Sequence, residues 1–176
     1  MSAPIIVSAV LGAADFQWLD AQRRTHYPSE RNRIGAHLTL FHHLPPSCEV
    51  ELRRRLCEAC KETAPRARVA GLISLGRGVA YRIESPSLED IRLELAEAFH
   101  GMLTPQDSAG WRPHVTIQNK VTPEAAKRLL NELSKAFAPR PLEIVGLAAW
   151  RYRDGPWDSI SGYGFGGGRA IRALAC

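Results

Sequence analysis

His37-Leu38-Thr39-Leu40 and His114-Val115-Thr116-Ile117 are one four-residue pattern written twice. Each copy alternates a polar residue capable of chemistry with an aliphatic residue suited to a core. Successive side chains of a β-strand face opposite ways, so His and Thr share one face and the two aliphatics share the other. The echo continues outward at a constant offset of 77 positions, with Leu44 falling on Val121 and Pro46 on Pro123. A helical pattern follows each copy, over 48–62 in the first case and 123–137 in the second. Proline near a helix start suits its fixed φ and missing donor. The repeating unit is strand, short polar turn, helix. Two units are too few for a solenoid, so the expected geometry is a duplicated lobe facing its twin across a cleft.

With 176 residues, 45% of them hydrophobic, the chain is large enough for one compact domain over residues 1–176. The apolar start at 4–12 has no basic stretch before it and is too short to span a bilayer, which argues against a signal peptide or a membrane span. Cys48, Cys57, Cys60 and Cys176 do not make a disulfide framework in a chain of this size without a secretory signal, so a cytoplasmic location is expected. The net charge of +5 comes from 19 Arg and only 4 Lys against the acidic residues. Arginine pairs with phosphate oxygens and stacks on bases, so the charge suits a polyanionic partner, although solvated helix faces account for it equally well.

Residues 4–11 read as a buried strand and 16–27 as a helix capped by Asp15. The first motif strand spans 36–44, with Ser47 capping a helix whose apolar positions are Val50, Leu52, Leu56 and Ala59. Residues 66–75 and 78–84 form a hairpin turning at Gly76-Arg77. Ser87 opens a helix with Leu88, Ile91, Leu95, Ala98 and Phe99 at helical spacing. Residues 104–110 read as a loop, 142–153 as one long strand and 158–163 as a last one, before a glycine-rich turn or end from Gly162.

If the lobes pack about a pseudo-twofold axis, two imidazoles and two hydroxyls converge on one small space. Histidine titrates near neutrality, so one ring can accept a proton while the other donates. Threonine hydroxyls can donate to the non-bridging oxygens of a phosphoryl group. In-line displacement at phosphorus needs this set and requires neither a nucleophilic side chain nor a metal. Simple alternation extends the first face to Phe41 and His43, leaving His42 packed or on the surface, and extends the second face to Gln118 and Lys120. The histidines at 26, 42 and 43 make a poor metal site because neighbours on a strand diverge. Cys57-Glu58-Ala59-Cys60 lies inside a helix and reads as structural.

The paired motifs, with Trp111-Arg112-Pro113 before the second, resemble the two-histidine phosphoesterase superfamily. The match is to its bacterial branch of 2′-5′ RNA ligase-like and cyclic-nucleotide phosphodiesterase proteins. Residues 33–45, Arg-Ile-Gly-Ala-His-Leu-Thr-Leu-Phe-His-His-Leu-Pro, resemble the first motif of that family, and Pro113-His114-Val115-Thr116-Ile117 the second. The resemblance implies an α+β fold, bilobal, with duplicated strand–helix units and mainly antiparallel sheets flanking a central cleft. It implies metal-independent opening of 2′,3′-cyclic phosphates, or cleavage and joining of 2′-5′ linkages. His37 and His114 would be the acid–base pair, and Thr39 and Thr116 the phosphate donors. Where relatives often carry Arg after the second motif this chain has Gln118-Asn119-Lys120, so Lys120 is the expected point charge.

Phe41 and Tyr152 are the expected base-stacking residues, ahead of Trp111, Trp150 and Trp157. Arg33 and Arg112, with Arg151 and Arg153 behind them, are the expected phosphate contacts. The expected partners are RNA ends or small nucleotides, taken up by a monomer without cofactor, metal or membrane. Two alternatives stand beside this reading: a nucleotide- or RNA-binding module with little turnover, and a phosphoesterase for an ester outside nucleic acids.

Overall fold

The apolar run Ile5–Leu11 forms the first strand, β1, and is buried along nearly its whole length because it is paired on both edges. The computed structural model describes residues 3–172, so Cys176 lies outside the described residues. After β1 come α1 (Ala13–His26), β2 (Leu38–Leu44), α2 (Glu49–Ala59), β3 (Ala67–Ser74), β4 (Val79–Glu84) and α3 (Pro86–Ala98). The short α4 (Pro105–Ser108) leads to β5 (His114–Gln118), α5 (Pro123–Ala136), β6 (Arg140–Leu142), β7 (Ile144–Arg151) and β8 (Asp158–Gly164). Two antiparallel four-stranded sheets result, ordered β2-β1-β7-β8 and β5-β4-β3-β6.

The duplicated motif strands, β2 and β5, each occupy an edge, and the two edges lie against one another. What holds them is the aliphatic half of the motifs. Leu38, Leu40, Val115 and Ile117 are all 0% exposed and share one hydrophobic cluster that runs through both sheets. At roughly 1.5–3 kcal/mol for each fully buried aliphatic side chain, these four contribute strongly to keeping the lobes together.

The helices cross between lobes. α1 follows β1 of the first sheet yet packs on β5 of the second, where Arg23, 3% exposed, donates from Nη1 to the Thr116 carbonyl at 2.9 Å. α3 follows β4 of the second sheet, and its buried Arg92 donates from Nε to the Leu40 carbonyl of β2 at 3.1 Å. Each motif strand is thus supported by an arginine from a helix that its own sheet did not launch. Trp111 adds a direct tie, with Nε1–H donating to the Thr39 carbonyl at 3.0 Å.

Several local expectations need correction. Gly12, not Asp15, precedes α1; Asp15 sits inside the first turn and accepts from the Glu143 backbone N–H at 2.7 Å and from Arg140 at 3.1 Å. Those bonds engage its carboxylate at the β6–β7 junction, so it braces that junction instead of capping. Residues 142–153 are not one strand, because the chain changes sheets at Glu143: β6 belongs to the second sheet and β7 to the first. Ser85, not Ser87, caps α3, its Oγ accepting from the Leu88 N–H while Pro86 takes the first helical position. A short 3-10 turn at Pro46–Cys48 replaces the Ser47 cap, α2 ends at Ala59, and Val50 is 84% exposed. The 104–110 stretch contains the capped turn α4. The glycine-rich segment is a turn whose Gly167 and Gly168 N–H groups donate to the Cys60 carbonyl and close the end of α2.

Candidate active site

His37 stands just before β2 and His114 opens β5. The His37 Nδ1 lies 2.8 Å from the Gly35 carbonyl, and the His114 Nδ1 lies 2.7 Å from the Arg112 carbonyl. A carbonyl can only accept, so in both rings Nδ1 carries the hydrogen and Nε2 is left as the proton-exchanging atom. The same two-residue loop-back on both sides gives the imidazoles matching tautomers. His37, Thr39, His114 and Thr116 line one cavity of about 280 Å³. That size falls at the lower edge of small-ligand sites, roughly 300–1,000 Å³.

Burial pushes the His37 pKa down to about 4, with the Gly35 carbonyl opposing that shift and Arg23, His42 and His114 adding to it. The ring is therefore neutral at physiological pH, its Nε2 lone pair available. Trp157 packs on it, the ring centroids 4.8 Å apart, and Trp150 backs Trp157 at 6.2 Å. Trp150 is itself anchored by an Nε1–H bond of 2.8 Å to Ser8 Oγ.

Alternation along β2 fails after Thr39. Ser8 of β1 opposes Thr39, but Val7 opposes Phe41 and Ile5 opposes Leu44, so β2 carries an extra residue at each of two β-bulges. Leu40 and Phe41 both turn into the core as a result, and His42 comes round to the cavity. This corrects the face assignment: Phe41 is 0% exposed, with the Arg92 guanidinium 4.6 Å from its ring centroid, and His43 is exposed outside the cavity. The second bulge is held by Asp107 of α4, which accepts from the backbone N–H groups of His42 and His43 and from His42 Nδ1 at 3.1 Å. Burial works against ionisation of this carboxylate, but the bonds from His42 and His43 prevail and hold its pKa below the ordinary value.

Of the other expected substrate contacts, Arg112 lines the motif cavity. Arg33, Lys120 and Tyr152 line a neighbouring cavity of about 500 Å³, and Trp157 borders both. Lys120 adopts a left-handed φ of 61° in the turn after β5, a conformation that non-glycine residues take rarely. Arg151 and Arg153 are engaged elsewhere, in ion pairs with Glu49 and Asp158. His42, Asp107 and Gln106 were missed by sequence reasoning, and only the polarity of His42 hinted at any of them. The cysteine pair ends α2, where burial pushes the Cys60 thiol up to about 12 and its Sγ lies 3.3 Å from the Tyr163 carbonyl. Among the described residues no group of three His, Cys, Asp or Glu side chains is placed to hold a metal ion, and no helix is long and apolar enough to cross a membrane.

The sequence profile of the 2′-5′ RNA ligase superfamily matches residues 12–156. The chain belongs to this superfamily. Among solved structures, TT0787 of Thermus thermophilus superposes with a TM-score of 0.63 at 17% identity, covering 93% of this chain and 98% of its own. A protein described as a phosphoesterase gives 0.54 at 15% identity, over 94% of this chain and 99% of its own. LigT of E. coli in complex with 3′-AMP gives 0.55 at 14% identity, over 94% and 99%. At such identities the likeness establishes the fold, α+β with duplicated units. No curated protein sequence matches the chain significantly.

Proposed function

We propose that this superfamily member is a metal-independent phosphodiesterase that opens 2′,3′-cyclic phosphate ends or cleaves 2′-5′ linkages. The observation that carries this reading is the convergence of His37, Thr39, His114 and Thr116 on one cavity, with both Nε2 atoms left for proton exchange. His37, neutral by burial, takes a proton from water; the resulting oxygen bonds to phosphorus in line with the departing ribose oxygen. As that P–O bond breaks, His114 gives its proton to the leaving oxygen. Thr39 and Thr116 donate to the non-bridging oxygens, where charge grows in the transition state. Joining a 2′-5′ linkage would put a ribose 5′-hydroxyl in place of water: His37 takes its proton, the 5′-oxygen bonds to the phosphorus of a 2′,3′-cyclic phosphate, and the 3′-oxygen leaves with the proton given by His114.

A nucleotide portion of the substrate is supported by the neighbouring cavity. Arg31, Arg33 and Lys120 line it together, and among the described residues none of the three is ion-paired to a carboxylate. Trp157 at the boundary and Tyr152, 41% exposed, offer rings on which a base can stack. E. coli LigT, which shares the fold, has been solved with 3′-AMP, NADP+ and ATP. The thiols of Cys48, Cys57 and Cys60 are free, which suits work in a reducing cytoplasm.

The test is hydrolysis of 2′,3′-cyclic nucleotides and 2′-5′ dinucleotides in the presence of EDTA. The wild type should turn over at least one of these esters, and His37→Ala and His114→Ala should each lose about 10²–10⁴-fold in kcat. Activity abolished by EDTA contradicts the metal-free mechanism. Tight nucleotide binding with no turnover of any ester would instead make the chain a binding module.

A further inference from the structure

His42 shares the cavity with His37 and His114, although it lies outside both four-residue repeats. Two devices put it there. The bulges in β2 rotate it off the face that alternation would give it. Asp107, 1% exposed, then accepts from its backbone N–H at 2.9 and 3.0 Å, from that of His43 at 2.9 Å, and from its Nδ1 at 3.1 Å. The two backbone donors alone would satisfy a carboxylate that only braced the bulge. The third bond does something more: it fixes the hydrogen on Nδ1 and leaves Nε2 as the ring's exchangeable atom. Lys120, expected to be the point charge for the phosphate, lines the neighbouring cavity instead. The donors that line the motif cavity include the two threonine hydroxyls, Arg112, the Gln106 amide and the edge of Arg92.

Resting on the phosphodiesterase reading of this cavity, we propose that His42 is a phosphate-contacting residue and Asp107 its positioning residue. When an anionic ester enters, His42 takes up a proton from solvent, and its Nε2–H donates to a non-bridging phosphate oxygen. The imidazolium then lies between two anions, the buried carboxylate and the phosphate, which is the arrangement that makes charge-assisted bonds short and strong. The titratable and charged groups around it are His37 ahead of β2, His114 and Arg112 at the start of β5, Arg92 of α3 and Asp107 of α4. The two arginines and His114, protonated as the acid, oppose the extra proton, and the carboxylate and the entering phosphate favour it. Neutral His37 adds no repulsion.

The experiment compares wild type, His42→Gln and Asp107→Asn, with KM and kcat for 2′,3′-cyclic AMP measured from about pH 5.5 to about pH 8.5, the histidine range. In wild type KM should rise with pH as the proton becomes harder to recruit. In His42→Gln KM should be roughly tenfold higher at the acid end, the loss of about one charge-assisted bond, and flat with pH, while kcat changes less. Asp107→Asn should move the same way, since an amide keeps the backbone bonds but cannot support an imidazolium. In parallel, calorimetric titration with adenosine 3′-monophosphate in buffers of different ionisation enthalpy should show greater proton uptake by wild type than by His42→Gln. Superimposable KM profiles and equal proton uptake overturn the proposal and leave Asp107 as a brace for the bulge. If no ester is turned over, the phosphodiesterase reading falls and the calorimetric difference decides the role of His42 by itself. Failure of the wild type to bind either nucleotide overturns both.

Discussion

His37 is the residue in which burial and chemistry meet most directly. Burial pushes its pKa down to about 4 from 6.5, so the unfolded chain binds this proton more readily than the folded one. Its contribution to stability is intact above pH 6.5 and is lost as pH falls from 6.5 toward 4. The total loss from this single group amounts to about 3 kcal/mol. Two measurements check this. The imidazole resonance of His37 in NMR titration should report a pKa well below that of a free histidine. Urea-denaturation stability should fall less between pH 7 and about pH 4.5 in His37→Gln than in wild type. A normal titration of His37 would also remove the reason for assigning it the base role. The sequence displayed His37, Thr39, His114 and Thr116 as reactive residues, because spacing and duplication are local properties of the chain. It did not display their environment, since Arg23, Trp157 and the opposing histidine, which help to set it, come from separate segments.

At the scale of elements, the motif strands show why alternation is a reliable guide only until a bulge intervenes. Leu38, Leu40, Val115 and Ile117 fell on the core face as their spacing requires. A first bulge turns Phe41 inward, and beyond it the face of His42 is held by a carboxylate 65 residues away, which no periodicity can announce. The split of 142–153 into β6 and β7 has the same origin, because Asp15 and Gly12, far back in the chain, hold Glu143 at the crossing. The hairpin at Gly76 and the helices after each motif were legible because their signals lie within them. Asp107 is the element-scale test. Asp107→Ala leaves two part-buried backbone N–H groups and the His42 ring without their acceptor, so stability should drop by about 1–3 kcal/mol in urea unfolding. Asp107→Asn, which keeps an acceptor for the backbone, should lose much less. Equal losses in the two variants would mean that the backbone bonds do not hold the bulge.

Across the whole molecule, the site exists because two sheets present their edge strands to each other and exchange supporting helices. α1 braces β5 through Arg23, α3 braces β2 through Arg92, and the aliphatic halves of both motifs share one core. Neither half-motif can position its histidine against the other without that common core, so the acid and base should act as a unit. The effects of removing catalytic partners that work together are far from additive. A double-mutant cycle on kcat for 2′,3′-cyclic AMP, in EDTA, with His37→Ala, His114→Ala and the double variant therefore measures whether both motifs build one site. Each single variant should lose about 10²–10⁴-fold and the double variant should lose little beyond the worse single. A single variant with wild-type kcat, or losses that multiply in the double variant, would contradict one site built from both motifs.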